Sequence, residues 1–161
     1  PTPAAREECA RIKKSLSDRF KIKFAGTNKD ETFMLSTNMK RHSKHCSSVA
    51  FRTYVEKIAK EYLKEPLDSY PSSWTDNCAS KELTKEYEHA LQRVEEASPQ
   101  QATDYGSLVG ALQYAVNFRP EVAFAVGVGG RCRTFPTRGM MTCMIRVLVY
   151  LVRTKDISIS D

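Results

Sequence analysis

Apolar residues recur at helical spacing in three separate parts of the first hundred residues. Cys9, Ile12 and Leu16 do so among charged residues, which predicts an amphipathic helix over residues 5–19. Two further helices are predicted from the apolar positions Phe51, Val55, Ile58, Ala59 and Tyr62, with Pro66 ending the run, and from Leu83, Tyr87, Leu91 and Val94.

A different period follows the first predicted helix. The stretch Phe20-Lys-Ile-Lys-Phe24 alternates between apolar and basic residues, which is typical of a half-buried strand. The polar stretch Gly26–Asp30 supplies turn chemistry, and Glu31–Arg41 can return as the partner strand. The sequence therefore predicts one N-terminal β-hairpin.

The last third of the chain is apolar over more than one helical face. Asp104 is expected to cap a helix that runs to about residue 117, and Thr137 a final helix that reaches about residue 153. Between them Arg119 and Pro120 predict a corner, because proline cannot continue a helix but is preorganised to begin one. Glu121 then lies where a carboxylate interacts favourably with the new N-terminus.

Two polar stretches separate the predicted elements. Residues 66–80, around Trp74, and residues 97–103 are interpreted as surface linkers. They divide the chain into segments 1–65, 66–103 and 104–161. The predicted fold is α+β and predominantly helical, with the hairpin followed by a helical bundle.

Three glycines lie near the end of the helix that Pro120 begins. Gly127, Gly129 and Gly130 are interpreted as a helix terminus, where they break the helix, or as a close helix crossing. A phosphate-binding loop is disfavoured, because no strand precedes them and no Gly-Lys-Ser or Gly-Lys-Thr follows.

The composition is sufficient for a hydrophobic core and gives the chain a net positive charge. The chain has 161 residues, of which 41% are hydrophobic, enough for one folded domain or a compact piece of a larger protein. Its 25 Lys and Arg residues against 19 Asp and Glu residues give a net charge of +6. A basic balance favours acidic partners, nucleic acid foremost, and is equally common in proteins that bind none.

Cysteine and histidine usage predicts neither a metal site nor a cofactor. The five cysteines are widely spaced, which favours reduced thiols in an intracellular compartment: the cytoplasm, the nucleus or an organelle interior. The cluster His42-Ser-Lys-His45-Cys46 is read as a solvated basic loop, since neighbouring lysines and arginines oppose a bound cation. No membrane span is expected, because the apolar run Met140–Val152 is short and carries Arg146.

A set of residues in the last third has the order and spacing of a known family. These residues are Tyr105, Ser107, Leu108, Val109, Gly110, Leu112, Tyr114, Arg119, Pro120, Glu121, Ala123, Ala125, Val126, Arg131, Pro136, Arg146, Val147, Leu148, Tyr150, Leu151 and Thr154. They resemble the C-terminal part of copia-type retrotransposon reverse transcriptases. Glu121 replaces the family's usual aspartate, and Arg153-Thr154 replaces a Gly-Thr pair.

The resemblance is looser upstream. Phe20–Lys23 with Gly26, and then Phe33–Leu35, are similar to the family's primer-grip stretch, although the glycine of its Phe-Leu-Gly box is missing. By this resemblance residues 1–65 form the end of the palm with a primer-grip-like hairpin, residues 66–103 a linker region with one helix, and residues 104–161 a three-helix thumb and connection segment.

The resemblance also implies what this chain lacks. Polymerases of the family hold two divalent cations on paired aspartates, and no two aspartates are adjacent here. The family's catalytic hairpin would lie before Pro1. The chain is therefore expected to have no catalytic residue, and to take part in polymerisation, with its divalent metal, only if joined to an upstream palm.

The function that the resemblance still implies is binding to primer and template through their backbone phosphates. Lysines and arginines are the residues that bind phosphates in this way. The predicted contacts are Lys21, Lys23, Lys40, Arg41, Lys44, Arg146 and Arg153. For Arg146 and Arg153 a solvated or internally paired helix face is the more common alternative. Two functions stay open: a noncatalytic fragment that binds RNA–DNA hybrid or other nucleic acid, and a retroelement-derived subunit that binds protein partners in a larger assembly.

Overall fold

The computed structural model describes residues 2–20, 31–34, 37–43, 47–78, 81–93, 96–156 and 159–160. It is an α+β fold in which helices predominate, as predicted. The helices are α1 (Pro3–Arg19), α2 (Arg52–Tyr62), α3 (Lys81–Leu91), α4 (Pro99–Ala115), α5 (Ala123–Arg131) and α6 (Arg138–Arg153). The strands are β1 (Glu31–Met34), β2 (Thr37–Arg41), β3 (Ser47–Ala50) and β4 (Ile159–Ser160), and short 3-10 turns lie at Leu67–Ser69 and Pro120–Val122.

The sheet is larger than the single predicted hairpin. Within the described residues, four antiparallel strands pair in the order β1-β2-β3-β4, so the end of the chain pairs with its N-terminal part. The expected partner strand Glu31–Arg41 is in fact two strands, β1 and β2, which pair antiparallel with Met34 opposite Thr37. The sequence carries its turn signal at Gly26–Asp30, whereas no Gly, Asn or Asp separates Met34 from Thr37. The proposed first strand and turn lie outside the described residues, apart from Phe20.

One hydrophobic core joins α2, α3, α4, α5 and α6. The central element is α6, which contacts each of the other four. The largest fully buried side chains are Tyr105, Leu83, Leu108, Leu112, Met140, Met144, Leu148, Leu151, Val55, Val122, Val126 and Val147. Met140 and Met144 of α6 are thus core residues, as expected from their flexible apolar side chains, and the half-buried Met141 packs against this core.

An aromatic cluster ties α2 to α4. Phe51 stacks on Tyr54 and Phe118, with ring centroids 4.7 and 4.4 Å apart, and Tyr114 packs against both Tyr54 and Phe118. The Tyr54 hydroxyl donates to the carbonyl of Ala111 at 3.0 Å. Residues on both sides of the predicted segment boundaries therefore share one core, while the division into segments stays a prediction.

The first helix forms where predicted but contributes nothing to this core. Thr2 caps α1 by accepting from the Ala5 amide, and Pro3 occupies the first turn. Every residue of the helix is exposed, including Ile12 and Leu16 at 48% and 39%. Helical periodicity was a correct signal for the element, and it does not show whether the apolar side of the helix is buried.

The start of α4 corrects the prediction of a linker over residues 97–103. Ser98 accepts from the Gln101 amide while the Gln101 side chain accepts from the Ser98 amide, which is a capping box, and Pro99 takes the first helical position. Asp104 consequently lies inside the helix and accepts from Gln100 at 2.7 Å instead of capping. The motif Ser-Pro-Gln-Gln signals this start, but its polarity resembles that of a loop.

The glycines do not break α5, which continues to Arg131. No glycine of the described residues has a positive φ, so left-handed freedom is not what α5 requires. At Gly129 a Cβ atom would collide with the Met144 sulfur and lie 2.9 Å from its methyl carbon. Of the two interpretations, the close helix crossing is therefore the correct one at Gly129.

The last helix begins as predicted. The Thr137 hydroxyl accepts from the Met140 amide at 3.1 Å, and α6 runs from there to Arg153. Residues 66–80 are more than a surface linker, because Tyr70 and Trp74 are half-buried and Cys78 is fully buried.

Candidate nucleic-acid interface

The corner that Arg119 and Pro120 form is a polar network around a buried guanidinium. Arg119 is 4% exposed and its Nε donates to Glu121 at 2.5 Å. Its two terminal nitrogens donate to the carbonyl and the hydroxyl of Thr154 at 3.0 and 2.7 Å. The guanidinium also lies 5.6 Å from the centre of the Tyr150 ring. The corner thus fixes the start of α5 to the end of α6.

Several residues that carry the copia-type resemblance meet in such internal contacts. Arg119, Glu121, Tyr150 and Thr154 form the corner network, although they are up to 35 positions apart. Tyr105 is fully buried and donates its hydroxyl to the carbonyl of Gly129 at 2.8 Å. Burial raises the Tyr105 pKa, which keeps the hydroxyl protonated as a donor. These residues have a structural role in this fold.

Arg146, a predicted phosphate contact, is held by two carboxylates. It makes a bidentate contact with Asp76, at 2.7 Å for the shorter bond, and a second ion pair with Glu82. Burial opposes the charge, but the hydrogen bonds to Asp76 and Glu82 outweigh it and raise the Arg146 pKa. Its side chain is only 15% exposed. The geometry favours the internally paired alternative.

Arg153 is also engaged within the chain. Its guanidinium donates to the carbonyls of Pro71, Trp74 and Tyr70 at 2.8, 3.0 and 3.1 Å. Both helical arginines therefore anchor the segment that precedes α3 onto α6. Nucleic-acid binding by these two residues stays a prediction, although both guanidinium groups are engaged within the chain.

Of the remaining predicted contacts, Lys40 and Arg41 lie in the sheet. Lys21, Lys23 and Lys44 are outside the described residues. Lys40 is exposed on β2, and Arg41 ends the same strand. Their contribution to binding stays a prediction.

A basic turn between α5 and α6 was not among the predicted phosphate contacts. Arg131 and Arg133 are exposed and make no ion pair with the described residues. The Arg93 guanidinium lies 5.1 Å from the centre of the Phe135 ring, which brings a third arginine to this turn. Arg138 follows at the first position of α6. The available signal was the run Arg131–Arg138, which holds three arginines and no acidic residue.

Arg133 rests against α4 where that helix has no side chain. A Cβ atom at Gly106 would lie 3.5 Å from a terminal nitrogen of Arg133, which is ordinary van der Waals contact. The guanidinium lines an open cavity of about 280 Å³ together with the hydroxyl residues Thr103 and Ser107. Since Thr103 donates its hydroxyl to the Pro99 carbonyl, Arg133 and Ser107 are the donors that remain to face this space.

Other chemistry has little support in the described parts of the chain. His42 makes an exposed hydrogen bond to Ser48 at 2.7 Å. Among the described residues no group of three or more His, Cys, Asp or Glu side chains could hold a metal ion. None of the described helices combines the length and apolar character that crossing a bilayer requires.

Comparison with known proteins identifies no relative of this chain. The copia-type resemblance consequently stays a prediction that depends on the residues quoted above. The chain matches no protein-family model, no curated protein and no solved structure at a significant level.

Proposed function

We propose that this chain is a noncatalytic fragment of a copia-type reverse transcriptase that binds primer and template through backbone phosphates. The contact surface is the basic turn of Arg131, Arg133 and Arg138, with Arg93 beside it. The observation that carries the proposal is the pair of exposed guanidinium groups, Arg131 and Arg133, that no carboxylate of the described residues neutralises.

Two further features support this surface over the helical arginines. Arg133 shares a cavity with the Ser107 hydroxyl, so a phosphate oxygen there would meet a charged donor and a neutral one. In contrast, Arg146 would have to leave Asp76 and Glu82 before it could bind a phosphate. Breaking two ion pairs of a largely buried cation costs more than engaging an exposed one.

Binding of this kind depends on charge and carries no base-reading code. Each phosphate that an arginine neutralises releases condensed counterions, so the affinity falls as salt rises. The chain on its own is proposed to do no phosphoryl chemistry, since the metal-binding aspartates of the resembled family are not in it. Catalysis would need an upstream palm with its divalent cations.

A salt titration of RNA–DNA hybrid binding tests the proposal. The double substitution Arg131→Glu/Arg133→Glu should weaken binding on the order of tenfold at low salt. It should also make the salt dependence weaker, with the slope of log K against log salt less negative by roughly one per lost contact. The loss should be the same for unrelated hybrid sequences, because phosphates are common to all of them.

The control changes the same charge elsewhere. Arg6 and Arg19 are exposed on α1, and Arg6→Glu/Arg19→Glu should leave most of the binding intact. Equal losses for both double variants would mean that net charge alone drives binding and would reject the basic turn as the site. Hybrid binding that ignores salt and both variants would reject the function itself.

A second function is favoured by one observation, that every residue of α1 is exposed. We propose as the alternative that the chain is a retroelement-derived interaction subunit whose first helix packs on a protein partner. Ile12 and Leu16 lie on the same side of the helix, and Phe20 follows at 60% exposure. Sedimentation of the isolated chain separates the two functions, since a monomer that binds hybrid supports the first and self-association without binding supports the second.

A further inference from the structure

Three aromatic residues line an open cavity between the end of α2, the segment before α3, α4 and α6. They are Tyr62, Tyr70 and Trp74, and each is half-buried. The cavity has a volume of about 670 Å³, which is in the range of small-molecule sites. Apolar side chains of α4 and α6 add to the lining: Leu108, Met141 and Ile145. The cavity therefore offers aromatic and apolar surface to a small organic group.

Two of these aromatic residues are held in place by α6. The ring centroids of Tyr70 and Trp74 are 5.9 Å apart, with the ring planes tilted by 31°. Arg153 of α6 donates to the backbone carbonyls of both residues at 3.1 and 3.0 Å, and the Trp74 amide donates to the Pro71 carbonyl at 3.0 Å. This side of the cavity is therefore fixed through its backbone before any ligand arrives, which lowers the entropic cost of binding.

The cavity lining is acidic, although the chain as a whole has a net charge of +6. Glu61, Glu65 and Asp104 line the cavity together with one cation, Lys64. None of the three carboxylates forms an ion pair with the described residues. Burial raises the Tyr62 pKa, and the negative charges of Glu61 and Asp104 raise it further. The electrostatic potential in the cavity therefore favours a cation.

The chemistry of the lining fits an organic cation better than a metal ion. Among the described residues no group of three or more His, Cys, Asp or Glu side chains could hold a metal ion. Aromatic rings attract cations through the negative charge of their faces, and proteins use this attraction to recognise quaternary ammonium groups. Such a group is larger and less strongly hydrated than a metal ion. Carboxylates spread around the cavity can therefore attract it without coordinating it directly.

We propose that this cavity binds an alkylated ammonium group, of the kind that choline and methylated lysine carry. The three aromatic side chains contact the methyl groups of the ligand, and the three carboxylates attract its positive charge at longer range. The inference is independent of nucleic-acid binding, since Arg131 and Arg133 do not line this cavity.

A fluorescence titration tests the proposal, because Trp74 is the only tryptophan of the chain and lines the cavity. The full chain is titrated with choline chloride, while sodium chloride is reduced to keep the ionic strength constant. We expect a saturable change in Trp74 emission with a Kd on the order of 1 mM. The neutral isostere of choline, in which carbon replaces the nitrogen, should bind at least about tenfold more weakly.

A second titration distinguishes the two sources of the ammonium group. A short peptide that contains trimethylated lysine is compared with choline and with the same peptide carrying unmodified lysine. The trimethylated peptide should bind more tightly than the unmodified one, because the aromatic residues select the methylated cation at equal charge. Tighter binding of the trimethylated peptide than of choline would identify a modified protein as the ligand, and the reverse order would identify a small molecule.

Substitutions of opposite sign show whether the cavity is the site. Glu61→Gln/Glu65→Gln should weaken choline binding on the order of fivefold, whereas Lys64→Gln should strengthen it roughly twofold because it removes the opposing charge. Glu88→Gln on α3 is the matched control and should leave the Kd unchanged, because Glu88 does not line the cavity. All four side chains are exposed, so the variants should keep the fold.

Three results would overturn the proposal. The first is equal affinity for choline and its neutral isostere, and the second is a titration without saturation up to about 100 mM choline. The third is a change in the same direction for Glu61→Gln/Glu65→Gln and Lys64→Gln.

Discussion

The helices α1 and α6 have nearly the same length, 17 and 16 residues, and opposite surroundings. None of the residues of α1 is buried, whereas α6 buries Met140, Cys143, Met144, Val147, Leu148, Val149 and Leu151. Both show apolar residues at helical spacing in the sequence. The period therefore identifies a helix, while the number of apolar residues per turn decides whether other elements can cover it.

The charged residues of the two helices differ in the same way. On α1, Arg11 pairs with Glu8 of its own helix at 2.6 Å, an exposed contact of the kind worth a few tenths of a kcal/mol. On α6, Arg146 and Arg153 bind groups some 70 to 80 positions away in the sequence. Stability should therefore depend on the packed helices α2–α6 and hardly on α1.

Among the substitutions of polar residues, the largest loss is expected from Arg119→Ala. It removes three hydrogen bonds and leaves the Thr154 carbonyl and the Glu121 carboxylate without this partner, which should lower the free energy of unfolding by about 2–4 kcal/mol. Urea unfolding measures it. Arg6→Ala is the control, and a similar small effect of both variants would show that the corner network contributes little.

A smaller loss is expected from Gly129→Ala at the α5–α6 crossing. The added methyl group must displace Met144, so the cost should be about 1–3 kcal/mol. Gly130→Ala is the matched control, because a Cβ atom there has nothing within 4 Å. Because alanine has a better helix propensity than glycine, Gly130→Ala should raise the free energy of unfolding by up to about 1 kcal/mol. Thermal melts of Gly129→Ala and Gly130→Ala measure the two changes in stability. Changes of the same sign would contradict the close α5–α6 crossing at Gly129.

Tyr105→Phe should cost about 1 kcal/mol near neutral pH. The loss is moderate because the Gly129 carbonyl keeps its bond from the Cys132 amide at 3.1 Å. Burial raises the Tyr105 pKa, so its contribution is complete below the ordinary tyrosine pKa of about 10 and declines as the pH rises above it. Unfolding at increasing alkaline pH should therefore show a smaller difference between wild type and variant. A constant difference up to pH 11 would contradict this assignment.

Local chemistry was sufficient to predict much of the fold from the sequence. Thr137 and Pro120 marked two helix starts, because a hydroxyl cap and a fixed φ act within one turn. The start at Ser98 was missed since its residues are polar like those of a loop, although the capping box is in the sequence. The division into β1 and β2, with Met34 opposite Thr37, carries no such signal in the sequence.

The candidate site was less predictable than the fold. Helical spacing places Arg146 and Arg153 on one side of α6, but it does not show that Asp76 and the carbonyls before α3 cover that side. The exposed arginines of the basic turn, Arg131 and Arg133, are in the sequence as an arginine-rich run. Which arginines stay open depends on tertiary packing, and residue spacing does not contain that information.

The smallest effect is expected from the double substitution Ile12→Lys/Leu16→Lys in α1. Since both side chains are exposed, the free energy of unfolding should change by no more than about 0.5 kcal/mol. Ile58→Ala in the buried face of α2 is the contrasting control, with an expected loss of about 2–5 kcal/mol. A loss above about 1 kcal/mol in the α1 variant would mean that the helix packs within the chain and would break the comparison with α6. An unchanged stability together with loss of self-association would instead identify α1 as the contact surface of the interaction subunit.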